Sequence, residues 1–180
     1  AIYFLNQGLG TDDTEKIAEA CKHAEVTLQY ENGVQQVYLN GENVTGFLRE
    51  EAVGNMASVT SAIPEVRAQL LELQREMART KDVVMDGRDI GTCVLPDAQV
   101  KIYLTASVAT RAKRRYDELT AKGTQCNLEE IEKDIEDRDY RDMHRETSPL
   151  KQAKDAVLVD SSEMNIDEVV DAIYQIYARV

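Results

Sequence analysis

Apolar residues recur along the chain in two patterns, one typical of buried strands and the other typical of amphipathic helices. Strands are predicted at 82–86, 100–105 and 156–160, where short apolar runs lack the alternation of a half-exposed sheet. Segments with helical spacing separate these runs. Strands that alternate with helices indicate an α/β fold with a parallel sheet, whose strands are buried on both faces.

Capping residues and glycines delimit the helices. The apolar pattern of residues 2–9 predicts the end of a helix that is already running at Ala1. Further helices are predicted at 14–23, 46–60, 64–79, 107–122, 127–145 and 165–179. The second helix is expected to be capped by Thr11-Asp12-Asp13, and Ser107 and Asn127 are expected to cap two of the later ones.

A small antiparallel insert is predicted at residues 25–45. The alternating segment 26–30 leads into Asn32-Gly33, a strong signal for a two-residue hairpin turn. The returning strand is predicted at 34–39, and Asn40-Gly41 predicts another turn. A merely decorative hairpin and a role in gripping a substrate are both open at this point.

Composition narrows the function classes. A chain of 180 residues, 43% hydrophobic and 30% charged, suggests one globular domain with an insert. The net charge of −12 argues against nucleic acid or an anionic membrane as the partner. No signal peptide or membrane-spanning run is visible, and two histidines exclude a histidine-rich metal site. The three separated cysteines predict no disulfide framework, which fits a cytoplasmic location.

Candidate functional residues are concentrated in the segment 86–92, Asp-Gly-Arg-Asp-Ile-Gly-Thr, at the carboxyl end of the first predicted strand. Ligands of open α/β sheets bind at such strand ends. Arg88 offers a planar fork of donors that suits a phosphate, and Asp86 and Asp89 could accept from a base, a sugar or the water shell of a metal ion. The alternative is a polar loop whose arginine and aspartates pair with each other.

Two arginine clusters stand out in this acidic chain. The first arginine cluster is Arg111, Arg114 and Arg115, and the second is Arg138, Arg141 and Arg145, each with spacing that places its members on one helical face. Like charges at this spacing repel, so a shared anion would explain both clusters. The alternative for the second cluster is a solvated face on which neighbouring aspartates pair with the arginines.

The segment 86–92, followed by Pro-Asp-Ala at 96–98, resembles the signature of the bacterial cytidylate kinases. The resemblance covers essentially the whole chain. Further matching segments, in the family's order, are the 25–45 hairpin, Val66-Arg67, the helix of the first arginine cluster, Arg-Asp-Tyr-Arg-Asp at 138–142 and Ser-Pro-Leu at 148–150. The resemblance implies the parallel-sheet fold of P-loop nucleoside monophosphate kinases. It also implies phosphoryl transfer from ATP, with Mg²⁺, to CMP or dCMP, and a monomer is expected.

The same resemblance implies roles for the substrate-side residues. Ser58, Arg67 and Asp89 would recognise the cytidine part, with Asp89 accepting from the cytosine amino group. Arg88 would hold the monophosphate.

Other roles follow from the same resemblance. Arg138, Asp142 and Arg145 would reach the ribose and the transferring phosphate, so that Arg88, Arg138 and Arg145 are the expected catalytic residues. The first arginine cluster would belong to a lid over ATP, and Asp86 would contact the magnesium through water.

By this reading one kinase domain spans residues 1–180. It comprises a nucleoside-monophosphate-binding region at about 25–80, a core strand and loop at 82–106, a lid at about 110–145 and further core at 154–180. The sequence departs from the family in one motif, because no glycine-rich loop ending in Gly-Lys-Ser or Gly-Lys-Thr is present. That segment is expected upstream of Ala1. The alternative is a non-catalytic pyrimidine-nucleotide-binding module without a P-loop.

Overall fold

The structure is a computed structural model that describes residues 1–180. The chain forms two compact units, residues 1–82 and residues 83–180, which are described separately.

The first unit is built from four helices and a hairpin. The helices are α1 (Ile2–Asn6), α2 (Thr14–Ala20), α3 (Glu51–Thr60) and α4 (Pro64–Thr80). Their apolar faces share one core, formed by Phe4, Ile17, Cys21, Met56, Ile63 and Val66. Proline at the first position of α4 costs no hydrogen bond, because the first N–H groups of a helix have no partner within it.

The predicted antiparallel insert is confirmed. Strands β1 (Val26–Glu31) and β2 (Val34–Leu39) pair in register from Val26 with Leu39 to Glu31 with Val34. The turn between them has positive φ at both central residues, 53° at Asn32 and 78° at Gly33, as a tight hairpin requires. A short third strand, β3 (Glu42–Asn43), follows the second Asn-Gly turn and pairs with β2.

Two local predictions in this unit are wrong in detail. The helix expected at 46–60 begins only at Glu51, and a 3₁₀ turn (Thr45–Phe47) precedes it. Asp13 is the residue before α2, but its side chain does not cap the helix. Its carboxylate instead accepts from the Gly10 N–H and the Lys16 ammonium, which compete with the first backbone N–H groups of the helix.

The second unit has the predicted α/β character. Strands β4 (Ile102–Thr105) and β5 (Val157–Asp160) pair in parallel, and the helices are α5 (Val108–Ala121), α6 (Leu128–His144) and α7 (Ile166–Tyr177). The Ser107 hydroxyl accepts from the Thr110 N–H and caps α5, and the Asn127 side chain caps α6. Asn165 and Glu168 form a reciprocal capping box on α7.

The strand predicted at 82–86 is absent, so this prediction is wrong. Residues 83–85 pair with no other strand, and Val84 is fully exposed. A strand requires a hydrogen-bonded partner, and an apolar run alone does not supply one. The expected burial on both faces is also wrong, because Leu104, Val157 and Leu158 are exposed in β4 and β5.

None of the helices combines the length and the apolar character needed to cross a membrane.

Candidate functional site

The segment that follows residues 83–85 is a tightly hydrogen-bonded loop. Ile90–Val94 forms a single π-helical turn, in which Val94 N–H donates to the Asp89 carbonyl at 3.2 Å and Leu95 N–H donates to the Ile90 carbonyl at 2.7 Å. Such turns occur frequently at functional sites. A Cβ at Gly87 would lie 2.9 Å from Cγ1 of Ile90, so a larger residue there would force Ile90 to move. This geometry fixes the backbone that carries Arg88 and Asp89.

The C-terminal end of α6 and the residues that follow it contribute the other side chains of the candidate site. The Asp142 carbonyl accepts from the Leu150 N–H at 2.8 Å, so the chain after α6 folds back onto the helix. Arg145 follows the last helical residue, and its Nε donates to the Ser148 carbonyl at 2.7 Å. Ser148 has a φ of +50°, which forms part of this return. The guanidinium of Arg145 is therefore held on the side of α6 that carries Asp142.

Two ion pairs connect the loop to α6. Nε of Arg88 lies 2.8 Å from Oδ2 of Asp142, and Nη2 of Arg145 lies 3.8 Å from Oδ1 of Asp89. The side chains of Asp89, Asp142 and Arg145 are mostly buried, with exposed fractions of 12%, 19% and 24%. Four of the predicted site residues thus converge, although they come from segments about fifty positions apart. We call Arg88, Asp89, Asp142 and Arg145 the ion-pair cluster.

Two atoms of the ion-pair cluster have unmet hydrogen-bonding capacity. Oδ2 of Asp142 and Nη2 of Arg145 are buried, and neither has a hydrogen-bond partner of good geometry. Arg88 is at ion-pair distance from Oδ2, but its N–H does not point at that oxygen. Leaving a buried polar group without a hydrogen bond costs about 1–3 kcal/mol, so such atoms require an explanation. A polar ligand that accepts from Arg145 and donates to Asp142 would supply one.

Arg138 lies on the same face of α6 as Asp142, one turn earlier. Its side chain is exposed and takes part in none of the ion pairs or hydrogen bonds of the structure. Arg141, the remaining member of the second arginine cluster, donates to the Asp137 carbonyl at 3.2 Å. The paired-aspartate alternative from the sequence is therefore not seen for Arg138.

The three side chains of the first arginine cluster do not converge on a single site. Arg111 donates from Nη1 and Nη2 to the carboxylate of Asp139 at 3.0 and 2.5 Å, and from Nε to the Ala106 carbonyl. Arg114 donates to the carbonyls of Ser161 and Met164 at 2.6 and 2.9 Å. Arg115 pairs with a surface glutamate, Glu118, at 2.9 Å. The Arg111–Asp139 contact between α5 and α6 was not evident from the sequence, because the two residues lie 28 positions apart.

The polar segment after β5 is also well ordered by hydrogen bonds. Asp160 accepts from the hydroxyl and the N–H of Ser162 at 2.6 and 2.9 Å, and these bonds lower the pKa of the Asp160 carboxyl. The Ser162 hydroxyl in turn accepts from the Ser107 N–H at 2.8 Å, at the start of α5. The carboxyl ends of the two parallel strands are therefore joined through side chains.

Ser58 and Arg67 belong to the first unit and lie on either side of the α3–α4 junction. The carbonyl of Ser58 accepts from the Ser61 hydroxyl at 3.0 Å, and Nη1 of Arg67 donates to the Ser61 carbonyl at 3.4 Å. Ser58 is exposed and Arg67 is half-buried. Both predicted residues thus contact the same junction residue.

No group of side chains in the structure is arranged to bind a metal ion directly. Asp86 is exposed, and no group of three histidine, cysteine, aspartate or glutamate side chains is arranged to hold a metal. A single exposed carboxylate fits only a contact through water with an ion that phosphates hold, which is the usual mode of Mg²⁺.

Comparison with known proteins gives consistent matches. The cytidylate kinase family model matches residues 1–179. The chain is 49% identical over 167 residues to a cytidylate kinase of Lactobacillus johnsonii, covering 93% of this chain and 73% of that protein. It is 48% identical over 169 residues to the cytidylate kinase of Leuconostoc mesenteroides, covering 94% and 75% of the two chains. It is also 48% identical over 170 residues to a cytidylate kinase of Streptococcus pneumoniae, covering 94% and 76%.

Proposed function

The chain belongs to the cytidylate kinase family, and from that premise we propose that it transfers the γ-phosphoryl group of ATP to CMP or dCMP. A phosphate oxygen of the monophosphate attacks the γ-phosphorus, the bond to the β-phosphate oxygen breaks, and the products are CDP or dCDP and ADP. Catalysis of this reaction consists mainly of positioning and charge stabilisation.

The observation that carries the proposal is the unmet bonding capacity of the ion-pair cluster. A nucleoside monophosphate has both an anionic phosphate and sugar hydroxyl donors. The phosphate matches Nη2 of Arg145 and the exposed guanidinium of Arg88, and a ribose hydroxyl matches Oδ2 of Asp142. Hydrogen bonds from arginine to a phosphate, and to a carboxylate from a hydroxyl, are charge-assisted and therefore stronger than neutral ones.

The remaining roles are proposed from the family and from the placement of each residue. Asp89 accepts from the cytosine amino group, and Ser58 and Arg67, at the α3–α4 junction, contribute to binding the cytidine part. Arg138, whose guanidinium is exposed, joins Arg145 in stabilising the transferring phosphoryl group. The hairpin and the two helices after it, about 25–80, form the monophosphate-binding region.

The region 110–145, which contains α5 and α6, acts as the lid, and the first arginine cluster belongs to it. In the structure its arginines bind the carboxylate and carbonyl partners described above. Mg²⁺ bound to the phosphates would neutralise charge, and Asp86 would contact its water shell. No Gly-Lys-Ser or Gly-Lys-Thr loop occurs in the sequence, so none of these residues is proposed to cradle the triphosphate.

The test is to measure ADP release by the full-length protein with ATP, Mg²⁺ and CMP, for the parent and for Arg145→Met. Methionine keeps the apolar stem but removes the charge. We expect turnover by the parent and a loss of about ten- to a hundredfold in kcat/KM, the effect of one lost charge-assisted hydrogen bond. Arg79→Met is the control, because Arg79 is an exposed ion-paired residue of α4 that has no proposed role. Equal activity of Arg145→Met and Arg79→Met would contradict the proposal.

A non-catalytic pyrimidine-nucleotide-binding module, the alternative function, is not favoured by the family match. It predicts calorimetric binding of CMP that Arg145→Met weakens, with no ADP or CDP formed at any enzyme concentration.

A further inference from the structure

Lys101 is a charged residue whose side chain is almost completely buried, with an exposed fraction of 7%. It immediately precedes β4 and has no part in the cluster of arginines and aspartates described above. Lysine is seldom buried to this extent unless its charge is paired and its donors are used, because removing an ammonium group from water is costly. The burial of the Lys101 side chain therefore requires a specific explanation.

The contacts of Lys101 place it beneath the loop that carries Arg88 and Asp89. Its ammonium donates to the carbonyl of Pro96, the residue just beyond the π-helical turn, and to Oδ2 of Asp155 at 2.6 Å. Its stem lies under the turn itself, since a Cβ at Gly91 would be 3.5 Å from Cδ of Lys101. A single side chain therefore touches both the middle and the end of the loop.

Lys101 is itself anchored in the sheet. Its carbonyl accepts from the Val157 N–H at 2.9 Å, which begins the pairing of β4 with β5. The loop is thus held at one end by the Arg88–Asp142 ion pair and at the other by Lys101. Asp155 is 64% exposed, so it compensates the charge from the solvent side, and the hydrogen bond from Lys101 lowers the pKa of its carboxyl.

We propose that Lys101 is a positioning residue for the monophosphate site: it fixes residues 87–96 so that Arg88 and Asp89 face the nucleotide. The inference rests on the proposed function. It predicts that loss of the ammonium affects the CMP side of the reaction and leaves the ATP side unchanged. A lysine that only stabilised the fold would change the amount of active enzyme, and so the apparent kcat, without a selective change in the KM or Kd for CMP.

The experiment compares Lys101→Met, Lys101→Arg and Asp155→Asn in the full-length protein. Calorimetry gives the Kd for CMP, steady-state kinetics give KM for CMP and for ATP, and thermal unfolding gives Tm. Small displacements of a site residue cost up to about a hundredfold. We therefore expect Lys101→Met to raise the Kd and KM for CMP by about ten- to a hundredfold, with the KM for ATP unchanged.

Lys101→Arg and Asp155→Asn test the two contacts of the Lys101 ammonium, with Pro96 and with Asp155. Lys101→Arg keeps a donor for Pro96 and is expected to restore most of the CMP affinity. Asp155→Asn keeps the Pro96 contact and is expected to have a smaller effect than Lys101→Met. Lys16→Met is the matched control, because Lys16 is a solvent-exposed lysine that pairs with Asp13 and has no proposed role.

The following results would overturn the proposed positioning role of Lys101. Unchanged CMP affinity in folded Lys101→Met overturns it, as does a fall in the apparent kcat alone that follows the folded fraction. If Lys101→Met does not fold, the ratio of the two KM values in Asp155→Asn decides, and an unchanged ratio overturns the inference. A parent protein that neither binds nor phosphorylates CMP refutes the proposed function itself, which distinguishes that failure from the failure of this inference.

Discussion

Replacing Arg88 with lysine keeps a positive charge at the site but removes the planar fork of donors. A lysine at this position can still neutralise a phosphate, but it cannot donate two parallel hydrogen bonds to it. The substitution therefore tests whether the geometry of Arg88, and not its charge alone, serves the reaction.

The structure sets the expected sizes of the two effects. Arg88 is 42% exposed and its ion pair with Asp142 lacks good hydrogen-bond geometry, so its contribution to stability is that of a surface pair, at most about 1 kcal/mol. A lost hydrogen bond to a charged ligand costs about 1.5–3 kcal/mol, or roughly ten- to a hundredfold in kcat/KM. Activity should therefore fall much more than stability.

The assay is coupled ADP release with CMP, together with urea unfolding of the same samples. Arg79→Lys is the matched control, because Arg79 is 57% exposed and pairs with two glutamates on α4. It should leave both measurements unchanged. If Arg88→Lys lowers the free energy of unfolding and kcat/KM to the same extent, Arg88 has only a structural role. If it lowers neither, the donor fork of Arg88 serves neither stability nor the reaction, and either result refutes the reasoning.

Further predictions concern the choice of base, the ion pair between α5 and α6, and the buried thiol of Cys21. Asp89→Asn should narrow the preference for CMP over UMP in kcat/KM, since an amide can donate to the uracil oxygen; an unchanged ratio would remove Asp89 from base recognition. Asp139→Asn should lower the free energy of unfolding by about 1–2 kcal/mol because the partly buried Arg111 loses its charged acceptor, whereas Asp117→Asn on the surface should change it little. Burial raises the pKa of the Cys21 thiol above the ordinary value of 9.0, so the unfolded chain ionises first and stability should fall as pH rises above about 9. A Cys21→Ala variant that loses stability over the same range would contradict that cause.

Local sequence signals predicted the parts of the fold that depend on neighbouring residues. The Asn32-Gly33 turn needs positive φ at both positions, and only a few residue types supply it readily. The caps at Ser107 and Asn127 likewise act within three residues. Asp13 failed as a cap because Lys16 and Gly10 compete for its carboxylate, and a sequence does not rank such competitors.

Long-range arrangements could be predicted only in part. The sequence indicated that Arg88, Asp89, Asp142 and Arg145 belong to one site, but not that they pair crosswise, because pairing depends on how the loop meets α6. The first arginine cluster shared a helical face as predicted, yet different backbone and carboxylate acceptors hold each member.

Lys101 gave no sequence signal at all. A lysine before a strand is usually exposed, and its burial follows from the path of the loop above it.

The most direct test of the account is to offer the full-length protein ATP and Mg²⁺ with an equimolar mixture of CMP, dCMP, UMP, AMP and GMP, and to identify the products by chromatography and ³¹P NMR. We predict that CDP and dCDP form first, with one ADP for each, and that UDP forms clearly more slowly. Preferential phosphorylation of another monophosphate, or CMP binding with no diphosphate formed, would contradict it.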